Sequence, residues 1–445
     1  MLDCFLQKNT NDATTCTILP LSKDNIGDWL AKQEDFIQNW VNSHQYLAKP
    51  HELCFIPDEA GKLSLVLIGC DETSSPWLFG DIPPKLPRGQ YRIDPQFLSW
   101  NKEQDNLIAL SWGLGSYTFD RYTTSTEINA QLILPEHADE TLLDHWLSSL
   151  YLSNDLVNTP CEDLGPQHLA EIVKNIAKEC GAECFITLGD ALLEENFNAI
   201  HAVGRAARED RAPRLIDLQW GDPQLPKITL VGKGVCFDTG GLDIKPASGM
   251  RTMKKDMGGA ASVLALARMI MLQNWPVRLR LLIPAVENSV SANSYRPGDV
   301  ITTRKGITVE VDNTDAEGRL ILCDALDLAC EESPDYLIDI ATLTGARAIA
   351  LGPEMPMATS NHQELGFELQ KMAWDIHDPL WLFPLYQPYN RYLKSTIADC
   401  VNSSSQRYAG SITAALFLDK FVDNNIKWFH VDTDCYHHTA IPGHI

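Results

Sequence analysis

The sequence predicts an α/β fold, in which a C-terminal domain with a mostly parallel mixed sheet flanked by helices follows a smaller N-terminal α/β domain. Beyond residue 160, apolar strand-like runs alternate with helix-like segments, which is typical of βαβ units. At 445 residues the chain is also long enough for more than one domain. A helix-like segment at 139–158 leads into TPCEDLGP, whose prolines favour a boundary. The predicted limits are 1–135 for the N-terminal domain, 136–160 for a linker helix and boundary, and 161–445 for the C-terminal domain.

The elements of the C-terminal domain follow from the spacing of its apolar residues. Runs of β-branched and apolar residues predict strands, and apolar residues that recur every three or four positions predict helices. In chain order we predict a helix at 167–181, a strand at 184–190, a helix at 193–209, strands at 214–220 and 227–234, a helix at 258–275, strands at 278–288 and 306–313, a helix at 318–333 and a strand at 335–344. The first 135 residues alternate short apolar runs, such as LSLVLIGC and DNLIALSWG, with loops rich in Pro, Asp and Ser.

Composition and charge exclude several classes of protein. The formal net charge of −23 argues against nucleic acid as the main partner, because phosphate binding needs clustered Lys and Arg. The 12 cysteines form no CxxC pair, which favours buried thiols in a reducing compartment. The start, MLDCFLQKNTND, lacks the basic and apolar regions of a signal peptide, and no apolar stretch is long enough to cross a bilayer. We therefore expect a cytoplasmic protein with no membrane association.

Polar residues follow the predicted strand at 227–234. The segment VGKGVCFDTGGLDIKP, residues 231–246, brings Lys233, Asp238 and Lys245 close to the carboxyl end of that strand, where ligands bind in α/β sheets. It is neither a Rossmann fingerprint nor a Walker A loop, because the required glycine and the Ser or Thr after GK are missing. Two solvated surface lysines would explain this segment equally well.

Two further acidic clusters begin predicted helices. Asp256 in MKKDMGGAA precedes a long apolar helix, and NTDAEGRL, residues 313–320, contains Asp315, Glu317 and Arg319. Acidic residues at a helix start need no function, because they cap the backbone and meet the positive end of the dipole. If the chain stays extended past Asn313, however, positions 315, 317 and 319 project to one side. The four carboxylates of the three segments would repel one another on convergence, and two divalent ions would neutralise them, as in two-metal hydrolases.

The signature segments resemble those of the leucyl (cytosol) aminopeptidase family. VGKGVCFDTGGLDIKP, MKKDMGGAA, NSYRPGDV, NTDAEGRL and IDIATLTGA occur in that family's order and spacing, and the match covers residues 153–432. The resemblance implies that the C-terminal domain is catalytic and removes N-terminal residues, preferably apolar ones, from peptides with a free N-terminus. It also implies a homohexamer.

The resemblance further implies a set of site residues. Two divalent ions, zinc or manganese with magnesium or cobalt as substitutes, would be held by Lys233, Asp238, Asp256, Asp315 and Glu317. Lys245 would stabilise the oxyanion. Arg319 would hold a bicarbonate ion as general base. The residues that match the wall of the substrate pocket are Met253, Thr342 and Gly345.

Two other functions share part of this pattern. A non-peptidase two-metal hydrolase, such as an amidase or phosphatase, would share the acidic cluster but would not need both KGxxFDTGG and NTDAEGRL. A binding or regulatory relative with an inactive site would be expected to lack at least one ligand. The family's usual glycine-rich C-terminal stretch has no match in FHVDTDCYHHTAIPGHI, so the preferred side chain is left open.

Overall fold

A computed structural model describes residues 2–8, 15–71, 75–96, 102–123, 129–404 and 406–437. The chain divides into two compact units, one running to Tyr151 and the other covering Leu152–His437. This division falls inside the helix Glu140–Asn158, and the predicted limits at residues 135 and 161 stay a prediction. In the described part of the chain, no helix is both long enough and apolar enough to cross a membrane.

The first unit contains a six-stranded sheet. Its strands are β1 (Phe5–Leu6), β2 (Cys16–Leu21), β3 (Leu53–Pro57), β4 (Leu63–Gly69), β5 (Gly89–Ile93) and β6 (Ala130–Ile133). Its helices are α1 (Ile26–Leu30), α2 (Asp35–Ser43) and α3 (Lys102–Gly115), followed by α4 (Glu140–Asn158). The strand order is β1-β6-β5-β2-β4-β3, and among these pairs only β3 and β4 are antiparallel. The prediction of a small N-terminal α/β domain is confirmed.

The second unit begins with α5 (Pro166–Cys180), β7 (Glu183–Leu188), α6 (Ala191–Glu194), α7 (Asn198–Gly204), β8 (Arg214–Trp220), β9 (Lys227–Gly232), β10 (Gly234–Asp238), α8 (Ala247–Met250), α9 (Gly258–Leu272) and β11 (Arg278–Asn288). It continues with β12 (Val300–Thr302), β13 (Thr308–Glu310), α10 (Glu317–Cys330), β14 (Tyr336–Ala341), α11 (Gly345–Leu351), β15 (Met357–Ser360), α12 (Gln363–Asp375), β16 (Trp381–Leu382), β17 (Cys400–Val401), α13 (Gly410–Asp419) and β18 (Lys427–Asp432).

The main sheet of the second unit is mixed and mostly parallel, as predicted. Its order is β16-β15-β18-β14-β9-β11-β8-β7, and β10 extends the pairing along β11. The pairs of β9 with β11 and β14, of β14 with β18, and of β10 with β11 are parallel. The pairs β15–β18, β11–β8 and β7–β8 are antiparallel. The last described strand, β18, therefore lies inside the sheet between β14 and β15.

Helices cover both faces of this sheet. Along β11, Leu281 and Ile283 belong to the apolar core that includes α5 and α9, whereas Leu282 belongs to the core that includes α7, α10 and α13. Successive side chains of a strand point to opposite faces, so a strand covered on both faces must be apolar at nearly every position. The apolar run LLIPAV at 281–286 meets this requirement, and β11 coincides with the predicted strand.

Two predicted elements are wrong. The single helix expected at 193–209 is two short helices, because Asn196 adopts a left-handed backbone (φ 62°) between α6 and α7. The second helix is held by a distant residue, since Asp324 accepts hydrogen bonds from the N–H groups of Ala199 and Ile200. The strand expected at 306–313 is reduced to β13, which pairs with β12 and β17 in a separate small sheet.

Candidate metal centre

One edge of the main sheet collects the polar residues that follow its strands. Lys233 lies between β9 and β10, Asp238 ends β10 and Asn288 ends β11, while Thr342 follows β14. The strands β9, β10, β11 and β14 run parallel, so their carboxyl ends meet at the same edge. Three separate sequence segments therefore converge there.

The Lys233 ammonium group is fully engaged in the interior. Its Nζ lies 2.7 Å from Asp256 Oδ1, 2.9 Å from Glu317 Oε1 and 2.7 Å from the carbonyl oxygen of Thr342. Lys233 is only 3% exposed. Burial alone would lower the pKa of Lys233, but the charges of Asp256 and Glu317 outweigh it and raise this pKa. Lys233 is thus the cation that compensates these two buried carboxylates.

Lys245 plays the same part for the other two carboxylates. Its Nζ lies 2.7 Å from Asp238 Oδ2 and 2.6 Å from Asp315 Oδ1. The other oxygen of Asp238 accepts hydrogen bonds of 2.8 Å from the Gly240 N–H and from Asn288 Nδ2. Burial raises the pKa of Asp238, and the nearby charge of Glu317 adds to this effect. All four predicted carboxylates and both predicted lysines therefore lie in one cluster.

The NTDAEGRL segment forms a tight turn and not an extended strand. Asn313 Oδ1 accepts a 2.7 Å hydrogen bond from the Asp315 N–H, which folds the chain two residues ahead of Glu317, where α10 begins. The expectation that the chain stays extended past Asn313 is wrong for this reason. Asp315 and Glu317 nevertheless reach the same cluster, one from the turn and one from the first residue of the helix.

Arg319 lies in the first turn of α10. Its NH1 group donates a 2.8 Å hydrogen bond to the carbonyl oxygen of Asn402. Its Nε has no hydrogen-bond partner in the described part of the chain, although the side chain is buried. Burial lowers the pKa of Arg319 to about 10, so the guanidinium keeps its charge at neutral pH. A buried cation with an unused donor is suited to binding an anion.

The three predicted pocket residues are close in sequence to residues that form or contact this cluster. Thr342 Oγ1 donates a 2.7 Å hydrogen bond to Asp256 Oδ1. Met253 begins the short 3₁₀ helix Met253–Met257, which contains Asp256, and Gly345 is the first residue of α11. The structure brings Thr342 into direct contact with the cluster. The role of all three residues in binding substrate stays a prediction.

The cluster has the properties of a site for divalent cations. One oxygen each of Asp238, Asp315 and Glu317 lie within 4.8 Å of one another, close enough to share an ion. Asp256 Oδ2 and Glu317 Oε2 are buried and accept no hydrogen bond from any described residue. Buried carboxylate oxygens are costly unless they are paired or bind a metal. The four carboxylates carry more negative charge than the two ammonium groups neutralise. The residues present therefore fit divalent cations.

Several residues that support the cluster were not singled out in the sequence. The hydroxyl of Thr314 donates to the Gly240 carbonyl (2.6 Å) and accepts from the Asp243 N–H (2.9 Å), which joins the glycine loop to the turn before α10. The carbonyl of Thr314 accepts from Tyr295 and from Asn288 Nδ2. Asn288 could have been found, because it ends a predicted strand at the same sheet edge.

Gly318 allows Lys233 to reach its partners. A Cβ atom at Gly318 would lie 2.5 Å from Lys233 Cε and 2.9 Å from its Nζ. Because three contacts hold that ammonium group, we expect Gly318→Ala to push Lys233 out of the cluster and to remove most metal-dependent activity. We expect overpacking to cost about 1–3 kcal/mol of unfolding free energy. The better helix propensity of alanine would offset about 1 kcal/mol of this cost. Activity assays and denaturant unfolding measure the two effects.

A matched substitution is available at Gly27 in α1, where a Cβ would meet no atom within 4 Å. Gly27→Ala should keep activity and gain slightly in stability. If Gly318→Ala behaves like Gly27→Ala in both assays, close packing against Lys233 is not what requires this glycine.

Comparison with known proteins identifies similar chains over both units. A model of the cytosol aminopeptidase family, catalytic domain, matches residues 151–442, and a model of the M17 aminopeptidase N-terminal domain matches residues 16–135. A probable cytosol aminopeptidase of Syntrophotalea carbinolica is 42% identical over 335 residues, which is 72% of this chain and 67% of that relative.

Two solved structures are similar over nearly the whole chain. The crystal structure of cytosol aminopeptidase from Coxiella burnetii has a TM-score of 0.94 and 48% identity, covering 100% of this chain and 95% of that one. The bottromycin maturation enzyme BotP in complex with Mn has a TM-score of 0.84 and 28% identity, covering 95% and 93% of the two chains.

Proposed function

The chain belongs to the cytosol aminopeptidase family and is a metal-dependent aminopeptidase acting on peptides, and on this premise we propose which of its residues carry the reaction. The family resemblance expected from the signature segments is confirmed, and neither a non-peptidase hydrolase nor an inactive relative is favoured. The observation that carries the proposal is the group of four carboxylates, in which Asp256 and Glu317 are buried and each keeps one oxygen that has neither a hydrogen-bond partner nor an ion-pair contact among the described residues.

The proposed metal ligands are the five residues Lys233, Asp238, Asp256, Asp315 and Glu317. They would hold two divalent ions, zinc or manganese, with magnesium or cobalt as substitutes; the relative BotP is described in complex with Mn. When bound, the ions would supply an activated water and positive charge near the peptide carbonyl. Lys233 must lose a proton before its amine can act as a ligand, so metal binding would release a proton there.

Lys245 and Arg319 have different proposed roles. Lys245 is less deeply enclosed than Lys233, since its side chain is 16% exposed against 3%, and it would turn from Asp238 and Asp315 towards a substrate. There its ammonium group would stabilise the negative charge that develops on the carbonyl oxygen. Arg319, with its Nε still available, would hold a bicarbonate ion that accepts a proton from the water.

The bound ions would also account for selection of a free N-terminus. The unprotonated amine of an unblocked peptide would bind one of the ions, whereas an acylated nitrogen has no lone pair to offer a metal. Met253, Thr342 and Gly345 would form the wall that receives an apolar N-terminal side chain, and the protein would work in the cytoplasm. We also propose a homohexamer, and light scattering would test it. Exposed apolar side chains on and after α12 support such an assembly, namely Phe367, Met372, Trp374, Ile376 and Trp381.

Removing the metals should abolish peptidase activity. We expect a chelator to reduce hydrolysis of a dipeptide such as Leu-Gly to background, and added Mn²⁺, Zn²⁺ or Co²⁺ to restore it, because carboxylate-rich sites exchange such ions. Release of free amino acid and bound metal are measured on the same samples. Full activity in protein that has demonstrably lost its metal would refute the proposal.

The N-acetylated form of the same dipeptide is the matched control substrate. It keeps the scissile bond and the side chain but lacks the amine, so we expect no measurable cleavage. Comparable turnover of the blocked and free peptides would show that the cluster does not select a free N-terminus.

A further inference from the structure

Asn402 connects the small sheet to the metal centre. It directly follows β17, which pairs with β13, and its N–H donates a 3.1 Å hydrogen bond to the carbonyl of Glu310 in β13. The side chain is fully buried. The backbone of Asn402 is therefore held in place independently of the contacts that its side chain makes.

The side-chain amide of Asn402 uses its full hydrogen-bonding capacity on the turn that carries the metal ligands. Its Oδ1 accepts from the N–H groups of Asp312 (2.8 Å) and Asn313 (3.3 Å). Its Nδ2 donates to the carbonyls of Asn313 (2.7 Å) and Ala316 (3.2 Å). Only an amide presents two acceptor and two donor positions on one short side chain, and the reversed orientation would place donors against donors.

The main-chain carbonyl of Asn402 makes the residue's sixth hydrogen bond. Its carbonyl oxygen accepts the 2.8 Å hydrogen bond from Arg319 NH1 described above. The turn held by the side chain contains Asp315 and ends at Glu317, and the carbonyl holds Arg319 two residues further on, in the first turn of α10. One residue thus fixes two proposed metal ligands and the proposed anion-binding arginine relative to one another.

We propose that Asn402 is a positioning residue that sets the geometry between the metal ligands of the turn and Arg319. This inference rests on the proposed function of that cluster. Asn402 touches neither the carboxylates nor the lysines, so it acts through the backbone of residues 312–316 and through Arg319. Groups that orient metal ligands typically change metal affinity or activity by about 10- to 100-fold when removed.

The experiment compares Asn402→Ala with the wild-type protein after removal of metals. We expect the dissociation constant for Mn²⁺, measured by titration calorimetry, to rise about 10- to 100-fold. With saturating Mn²⁺, we expect kcat to remain lowered and its stimulation by bicarbonate to shrink. In Asn402→Asp, which has the same size, the two accepted hydrogen bonds remain and the two donated ones are lost. We expect Asn402→Asp to change the dissociation constant for Mn²⁺ and the bicarbonate stimulation in the same directions. This variant tests the inference even if Asn402→Ala fails to fold.

A substitution at Asp324 provides a control, because it should lower the stability of the protein without moving the proposed metal ligands. It lies on α10, is also fully buried, and accepts N–H groups of Ala199, Ile200 and Arg304. Asp324→Asn disturbs a comparable set of side-chain to backbone hydrogen bonds made from the same helix as Glu317, but their backbone partners lie outside the metal centre. We expect this variant to lose unfolding free energy while it keeps the wild-type affinity for Mn²⁺ and the wild-type bicarbonate response.

The outcomes separate this inference from the proposed function. If the wild-type protein binds no Mn²⁺ at the cluster, the proposed function is wrong. If the wild type binds Mn²⁺ but the Asn402 variants match it in dissociation constant and bicarbonate response, the positioning role is overturned. It is equally overturned if Asp324→Asn weakens Mn²⁺ binding as much as the Asn402 variants do.

Discussion

Replacing Lys245 by alanine is expected to lower kcat about 100- to 1,000-fold without emptying the metal site. Loss of one charged group that stabilises the developing oxyanion typically has this cost. The structure also predicts the direction in which the metal affinity of this variant changes. Lys245 Nζ contacts Asp238 Oδ2 and Asp315 Oδ1, so its ammonium competes with a cation for these oxygens. Lys245→Ala should therefore bind metal as tightly as the wild type or more tightly. Steady-state kinetics and metal titration on the same preparation test both parts.

Lys245→Arg is the matched variant because it keeps the positive charge but changes the shape of the donor group. We expect it to recover part of the lost kcat and to bind metal as the wild type does. The assignment of Lys245 is wrong if the alanine variant releases its metals, or if its kcat stays within a few-fold of the wild-type value.

Replacing Glu317 by glutamine is expected to act on metal binding first. Glu317 Oε1 lies 2.9 Å from Lys233 Nζ, and its Oε2 is buried without a described hydrogen-bond partner. A neutral amide keeps the size of the side chain but is a poorer ligand, so we expect the dissociation constant for Mn²⁺ to rise about 100-fold or more, beyond the usual effect of residues that only orient ligands. The rise in melting temperature that Mn²⁺ gives the wild type should largely disappear, because stabilisation by a ligand follows its affinity.

Asp312→Asn controls for the loss of one negative charge near the same turn. Asp312 is exposed, and its carboxylate is not part of the cluster. This variant should keep the wild-type metal affinity and melting behaviour. An equal loss of affinity in Glu317→Gln and Asp312→Asn would mean that overall charge, and not a ligand oxygen, governs metal binding.

Local patterns predicted the long elements of the catalytic unit well. β11 coincides with the apolar run at 278–288, and α9, predicted at 258–275, forms over Gly258–Leu272. Both are buried by elements on either side, so the apolar pattern is strong and little else competes with it. The expectation that ligands bind at the carboxyl ends of strands also located Lys233 and Asp238, because the last residues of parallel strands lie at one edge of the sheet.

The parts that were predicted wrongly depend on contacts between distant residues. The turn at Asn313 is held by Asn402, which is 89 residues away, and α7 begins where Asp324 caps it across 125 residues. No periodicity within a short window carries such information. β13 has already ended at Glu310, and the side-chain amide of Asn313 then keeps the chain from continuing extended, because its Oδ1 accepts the N–H of Asp315.

The position of β18 has a consequence for synthesis of the protein on the ribosome. β18 pairs on one side with β14 and on the other with β15, yet both neighbours precede it in the chain. At about 5–20 residues per second, the chain takes roughly 5–18 s to extend from the end of β14 to the end of β18. During that interval β14 lacks one of its two neighbours and presents an open edge of the kind that promotes aggregation. Asp432, which ends β18, then accepts the N–H groups of Leu343 and Thr344 beside Thr342. A nascent chain therefore cannot form the hydrogen bonds that fix the backbone beside Thr342 until nearly all of the second unit has been translated.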